Sequence, residues 1–230
     1  MKLPILATFL ILLPLSSTHG QSQMQMNREA GQALEKADTK LNASYKKIMV
    51  SKEVEEEAKK NLRIAQRAWL QFVEAQINTI FPVKEGENPR DLYGSMYALD
   101  YASTKTKLVK TRIQQLEQIL PSDSQDGTGS SNKAALKELS QTRKDAQAAY
   151  NNLLKFHYED PGMEQVLQQA QEAWVKYAKA QLISQFPLRE EEQKMPEVIY
   201  GPTYHADHAR AEIKLLRQRT EVLDAMLKGF

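Results

Sequence analysis

The sequence has no cysteine. That excludes a disulfide framework, a thiolate metal site and a thiol nucleophile. Glycine and proline are scarce, at nine each in 230 residues, which leaves little turn chemistry for a many-stranded protein. A basic surplus is missing too. The net charge is +2, with 31 Lys+Arg against 29 Asp+Glu. A nucleic-acid binder needs cations to displace counterions from phosphate, so this balance speaks against one. Catalytic signatures are also absent. There is no Gly-rich phosphate loop, no His-Glu zinc helix motif and no Gly-x-Ser-x-Gly elbow. The 41% hydrophobic content is too high for a disordered chain. The many Ala, Gln, Glu, Lys and Leu residues favour helix over sheet.

The start of the chain reads as a secretory signal peptide over residues 1–20. Met1-Lys2 is basic, Ile5 to Leu15 is apolar apart from Thr8 and Pro14, and Ser16 to Gly20 is a small-residue tail. Cleavage is expected before Gln21. The apolar run is too short to span a bilayer, which takes about twenty residues. An exported, periplasmic or secreted product is therefore expected.

The remainder is one unit written twice. AQRAWLQFVEAQINTIFP (65–82) matches AQEAWVKYAKAQLISQFP (170–187) at an offset of 105, with eight of eighteen positions identical. YGSMYALDYASTKTKLVKTRIQQLEQIL (93–120) matches YGPTYHADHARAEIKLLRQRTEVLDAML (200–227) at an offset of 107, so the preceding loop is two residues longer in the second copy. Both tryptophans, Trp69 and Trp174, fall at equivalent places, which chance does not arrange. The division is residues 21–120, a flexible Ser/Gly/Asp-rich linker at 121–132, and residues 133–230.

Apolar residues recur every three to four positions through three segments of each unit, and no stretch alternates with period two. The expected class is all-α: two tandem three-helix bundle domains joined by a flexible linker. Each unit of roughly 95 residues is large enough to enclose its own core and fold alone.

Trp69 and Trp174 lie on the apolar stripes and are expected as core anchors. Arg112 and Arg219 are equivalent to each other and lie on or beside the stripes of their helices, between Leu108 and Leu116 and between Leu215 and Leu223. A buried guanidinium must be hydrogen-bonded or paired. The repeated residues Tyr45, Gln66, Tyr150 and Gln171 are its expected partners, in a structural polar network that fixes helix register.

No acid/base pair or nucleophile constellation recurs in both units, so no catalytic residue, cofactor or metal site is expected. His205, Asp207 and His208 have a spacing that can touch a metal, but the first unit has Ala98 and Tyr101 where the two histidines fall. A solvated surface pair is the expectation there.

The residues that recur resemble a known family. Ala37, Asp38, Leu41, Asn42 and Tyr45 form A-D-x-x-L-N-x-x-Y. A-Q-x-A-W-x-x-[FY], a Tyr/Gly loop and R-x-x-x-L follow in order. This series is similar to the lysozyme inhibitor LprI N-terminal-like family across nearly the whole chain after residue 20. The resemblance implies small exported helical domains of the bacterial envelope, in a family named for a member that inhibits lysozyme. Two departures stand out. Where the family usually has cysteines, the chain has Ile77 and Thr104 in unit one and Leu182 and Ala211 in unit two. The second unit also lacks the A-D-x-x-L-N start, having Thr142, Arg143, Ala146 and Gln147 instead.

A non-catalytic binding protein is therefore expected, inhibiting a lysozyme by occluding its cleft. A periplasmic scaffold that binds another envelope protein is the alternative. The helices spend their apolar faces on the core, so recognition is expected on the loop between the second and third helices of each unit. Those loops run Val83 to Leu92 and Leu188 to Ile199, each between Phe-Pro and Tyr-Gly. Their candidate contact residues are Glu85, Glu87, Asp91 and Tyr93, and Glu190, Glu191, Glu192 and Tyr200.

Overall fold

The computed structural model describes residues 18–119, 132–157, 159–189 and 191–228. The expected signal segment up to Ser17, most of the linker, and Glu190 lie outside the described residues. Among the described residues there is helix and no strand. The helices are α1 (Thr18–Val50), α2 (Glu56–Ile80), α3 (Pro89–Tyr93), α4 (Tyr97–Glu117), α5 (Asn132–Phe156), α6 (Pro161–Gln185), α7 (Pro196–Tyr200) and α8 (Tyr204–Leu227). The first four form unit one and the last four form unit two. Each unit has three long helices and one short one, with a 3-10 turn at Gly94–Met96 and at Glu192–Lys194.

Local chemistry sets the boundaries. Asp160 caps α6 by accepting from the Met163 N–H at 3.1 Å, and Pro161 occupies the first turn, where its missing donor costs nothing. Phe81 and Phe186 leave the helical region just before Pro82 and Pro187, which disfavour helix in the residue before them. Gly94 and Gly201 close the short helices at φ 70° and 80°, a left-handed region that other residues enter at a cost.

The packing departs from two self-contained bundles. Helix α1 packs along α4, and α5 along α8. The largest helix–helix interface is between α2 and α6, one from each unit. A single large core joins Leu41, Leu62, Trp69, Val109 and Ile113 of unit one to Leu139, Trp174, Ile213 and Leu216 of unit two. Each second helix is thus spent on its counterpart more than on its own unit. The expectation that each unit encloses its own core is corrected on that ground: apolar stripes that recur in two copies can be buried within a copy or between copies.

Phe72 and Tyr177 mark the centre of the interface. They are equivalent positions and stack with centroids 5.6 Å apart and planes 6° apart. Equivalent residues meet face to face near a local twofold axis, so the halves are related by pseudo-twofold symmetry. Asn78 near the end of α2 lies beside Gly162 and Met163 at the start of α6, and Ala58 at the start of α2 beside Ser184 and Gln185 at the end of α6, so the two helices run antiparallel. Ile77 and Leu182 pack half-buried against the shared core, where the family resemblance implied cysteines.

Candidate functional site

Arg112 and Arg219 are both buried, as their place on the stripes predicts. Arg112 Nε donates to Gln66 Oε1 at 2.9 Å, and Arg219 Nε donates to Gln171 Oε1 at 3.0 Å. The glutamines named from the duplication are therefore the partners. The second bond of each arginine crosses between units: Arg112 Nη1 donates to Gln181, and Arg219 Nη1 donates to Gln76. Arg112 also lies over the Tyr177 ring at 5.6 Å, and Arg219 over the Phe72 ring at 5.8 Å. Burial pushes the Arg219 pKa down to about 10 and shifts Arg112 in the same direction. Tyr45 and Tyr150, expected from the duplication as further partners, form no hydrogen bond with either arginine among the described residues; glutamines take those places. This network belts the two halves together. Gln76 and Gln181 were visible as a repeated pair, but nothing in one chain of letters says that each serves the other copy.

The helix 2–3 loops are built to the same plan. Tyr93 Oη donates to the Pro82 carbonyl at 2.8 Å, and Tyr200 Oη to the Pro187 carbonyl at 2.9 Å. Phe81 meets Tyr93 edge-on, as Phe186 meets Tyr200. Both tyrosines are half-buried, with their hydroxyls turned to the loop's own backbone. Burial raises the Tyr200 pKa to about 12 and raises that of Tyr93. Glu87 accepts from the Lys84 N–H and Glu192 from the Arg189 N–H, each at 2.8 Å. Of the acids singled out from sequence, these two fix the loops, and Glu85, Asp91 and Glu191 stand exposed.

The structure adds apolar residues that sequence reasoning passed over. Met195, Val198 and Ile199 are 63%, 75% and 49% exposed around α7. The signal was the Met-Pro-Glu-Val-Ile run inside an otherwise polar loop.

The two loops do not converge. The first lies beside Asp160, Gly162 and Met163 at the start of α6. The second lies beside Glu53, Val54 and Glu55 at the start of α2. They therefore occupy opposite ends of the α2–α6 pair, about 37 Å apart along a 25-residue helix.

His205 contacts the Glu197 carboxylate, and Asp207 pairs with Arg210 at 2.7 Å. His208 is half-buried against Phe186 and Tyr204, and burial lowers its pKa. Among the described residues no group of three or more metal-ligating side chains gathers.

The pattern of two such units is diagnostic. The profile of the family described as lysozyme inhibitor LprI matches residues 16–116 and again residues 121–223. The chain belongs to the LprI family. Both copies of the LprI unit are accounted for, in agreement with the internal duplication. No curated protein matches. Among solved structures, the chain is similar to the crystal structure of an uncharacterized protein from Burkholderia thailandensis. The identity is 19% and the TM-score 0.52, over 90% of this chain and 92% of that one. That likeness concerns the fold: the solved protein shares an arrangement spanning both LprI units. No helix among the described residues is long and apolar enough to cross a membrane.

Proposed function

We propose that the protein is an exported, non-catalytic binding protein of the bacterial envelope that inhibits a lysozyme by plugging its cleft with the second unit's loop. LprI family membership supports the target class. The observation that carries the reading is the tip around α7. Met195, Val198 and Ile199 point outward, while Tyr200 locks the frame behind them onto Pro187. A preorganised apolar tip enters a cleft without a large ordering cost. Exposed Glu191 and Glu197 beside the tip suit a basic partner, and such an attraction speeds encounter and weakens with salt. The first unit's loop, with Glu85, Asp91 and Leu92 exposed, is the second candidate contact.

The test is stoichiometric mixing of the chain from Gln21 onward with lysozymes, followed by a lytic assay. Loss of lysis is expected, and Val198→Asp should restore it in a protein that still melts normally. Full inhibition by that variant would move the contact off α7. The scaffold alternative rests on the two loops lying at opposite ends, where they can hold two partners at once. Capture of a specific envelope protein by the chain, with lysis unimpaired, would favour it.

A further inference from the structure

A groove of about 650 Å³ opens on unit one between α1, α2 and α4, away from both loops. Its floor includes Leu41, Trp69 and Val73, and its rim carries Asp38, Arg63, Arg67 and Lys105. The volume lies within the range of small-molecule sites. Asn42 and Tyr45 add hydrogen-bonding groups from α1. The four rim charges sum to +2. Arg63 and Arg67 stand one turn apart on α2, where like charges oppose the helix. Among the described residues, none of the three cations forms an ion pair; Lys105 lies 5.8 Å from the Tyr101 ring.

The duplication supplies an internal control. The positions equivalent to Asp38 and Lys105 are Arg143 and Glu212. In unit two they are joined by a two-pronged pair, Arg143 Nε and Nη2 donating to the Glu212 carboxylate at 2.7 and 2.8 Å. Arg63 and Arg67 correspond to Gln168 and Glu172, so the same four positions sum to −1 there. Gln168 is spent on Glu164 at 3.0 Å. One scaffold thus carries a bridged, acidic surface in one copy and an open cationic groove in the other. Folding alone does not call for unpaired cations at a place where the other copy does without them.

We infer that this groove binds a small aliphatic carboxylate of the amino-acid or short-peptide class. The carboxylate lies at Arg63 and Arg67, which offer the guanidinium forks that suit it, with the Lys105 ammonium as a point charge beside them. An aliphatic side chain covers the apolar floor, and an N–H of the ligand meets Asp38. This site is independent of the lysozyme reading, since neither loop contributes to it.

The probe is alanyl-leucine, titrated calorimetrically into the chain from Gln21 onward. Alanyl-leucine amide and inorganic phosphate serve as comparisons. The dipeptide is expected to bind at least tenfold more tightly than its amide. Chemical-shift changes on the wild-type protein should centre on Asn42, Tyr45 and Lys105. The double variant Asp38→Arg with Lys105→Glu rebuilds unit two's closing pair. It should weaken dipeptide binding at least tenfold with the melting temperature unchanged, and Arg67→Gln alone should weaken it several-fold. Equal affinity for the amide, binding of phosphate alone, shifts centred elsewhere, or no detectable binding would each overturn the proposal.

Discussion

Phe72 stacks on Tyr177, its own counterpart in the second unit, and the two rings differ by one hydroxyl. That hydroxyl is matched in the surroundings. Tyr177 donates to Gln115, whereas the residue equivalent to Gln115 is Val222, which lines the same small cleft as Phe72. The halves have diverged in step: a phenol faces an amide on one side of the axis, and a phenyl ring shares a cleft with an isopropyl group on the other.

The matching is testable as a cycle. Tyr177→Phe removes a buried hydrogen bond and leaves Gln115 short of one partner, although Gln115 still donates to Gln218 at 3.0 Å. We expect a cost of about 1–2 kcal/mol. Adding Gln115→Val, which copies the other side of the axis, should recover most of it. Additive losses in denaturant melts would show that the two residues are energetically separate.

The shared core predicts one unfolding transition for the whole chain. Trp69→Ala should cost about 3–5 kcal/mol and lower that single transition. The fragment 18–119 alone should be poorly structured, because α2 loses α6, and adding fragment 132–228 should restore helicity. Calorimetry showing two transitions, with only one moved by Trp69→Ala, would restore the picture of two separate domains.

The crossed bonds make a narrower claim. Gln181→Leu takes from Arg112 a buried partner supplied by the other unit, at a cost of about 2–3 kcal/mol, since hydrogen bonds to charged groups are the stronger kind. Gln66→Leu removes the bond within the unit. Because both side chains serve one guanidinium, the losses should be non-additive in a double-variant melt. Strict additivity would mean that Arg112 is not the common element.

Much of this was legible in the letters. The helices, the duplication, the burial of Arg112 and Arg219 and their Gln66 and Gln171 partners all follow from periodicity and from what recurs. The exchange between units does not. When Gln76 and Gln181 are identical, a contact from Arg219 to either satisfies the pattern equally, and only geometry chooses. The loops were half legible. Their Phe-Pro and Tyr-Gly frame recurs because Tyr93 and Tyr200 tie it back to Pro82 and Pro187. The exposure of Val198 depends on how a five-residue helix is turned, which no periodicity over so short a span can fix.

Acid should loosen the second unit's loop through His208. Burial against Phe186 and Tyr204 holds its pKa below 6.5, so the folded protein keeps it neutral while the unfolded chain takes up a proton near 6.5. The unfolded state then binds more protons, and stability falls as the pH drops through that value. His208→Tyr installs the residue of the equivalent position, Tyr101, and removes the titration. Melts on either side of the histidine range should show a smaller acid loss for the variant. An equal loss in both would place the acid sensitivity elsewhere.

Alkali should act on the same loop through Tyr200. Its burial raises the pKa from the ordinary 10.0 to about 12, and the neutral phenol donates to Pro187. The unfolded chain ionises first, so the folded state holds the extra proton between these values. The resulting stability is fully present below pH 10 and is lost as the pH rises towards 12. Arg219 works in the opposite sense over an overlapping range. Its pKa falls to about 10 from 12.5, so a penalty present at neutral pH is relieved as the pH climbs. Net stability alone would therefore mix the two, and the phenolate absorbance of Tyr200 separates them. Tyr200→Phe should delete a late-titrating phenol from the wild-type curve and cost about 0.5–1.5 kcal/mol at neutral pH through the lost hydrogen bond. It should also free the α7 tip and weaken any inhibition that depends on a preorganised loop. If the variant instead removes a phenol that titrates at the ordinary value, the hydroxyl faces solvent, and Tyr200 does not hold the frame.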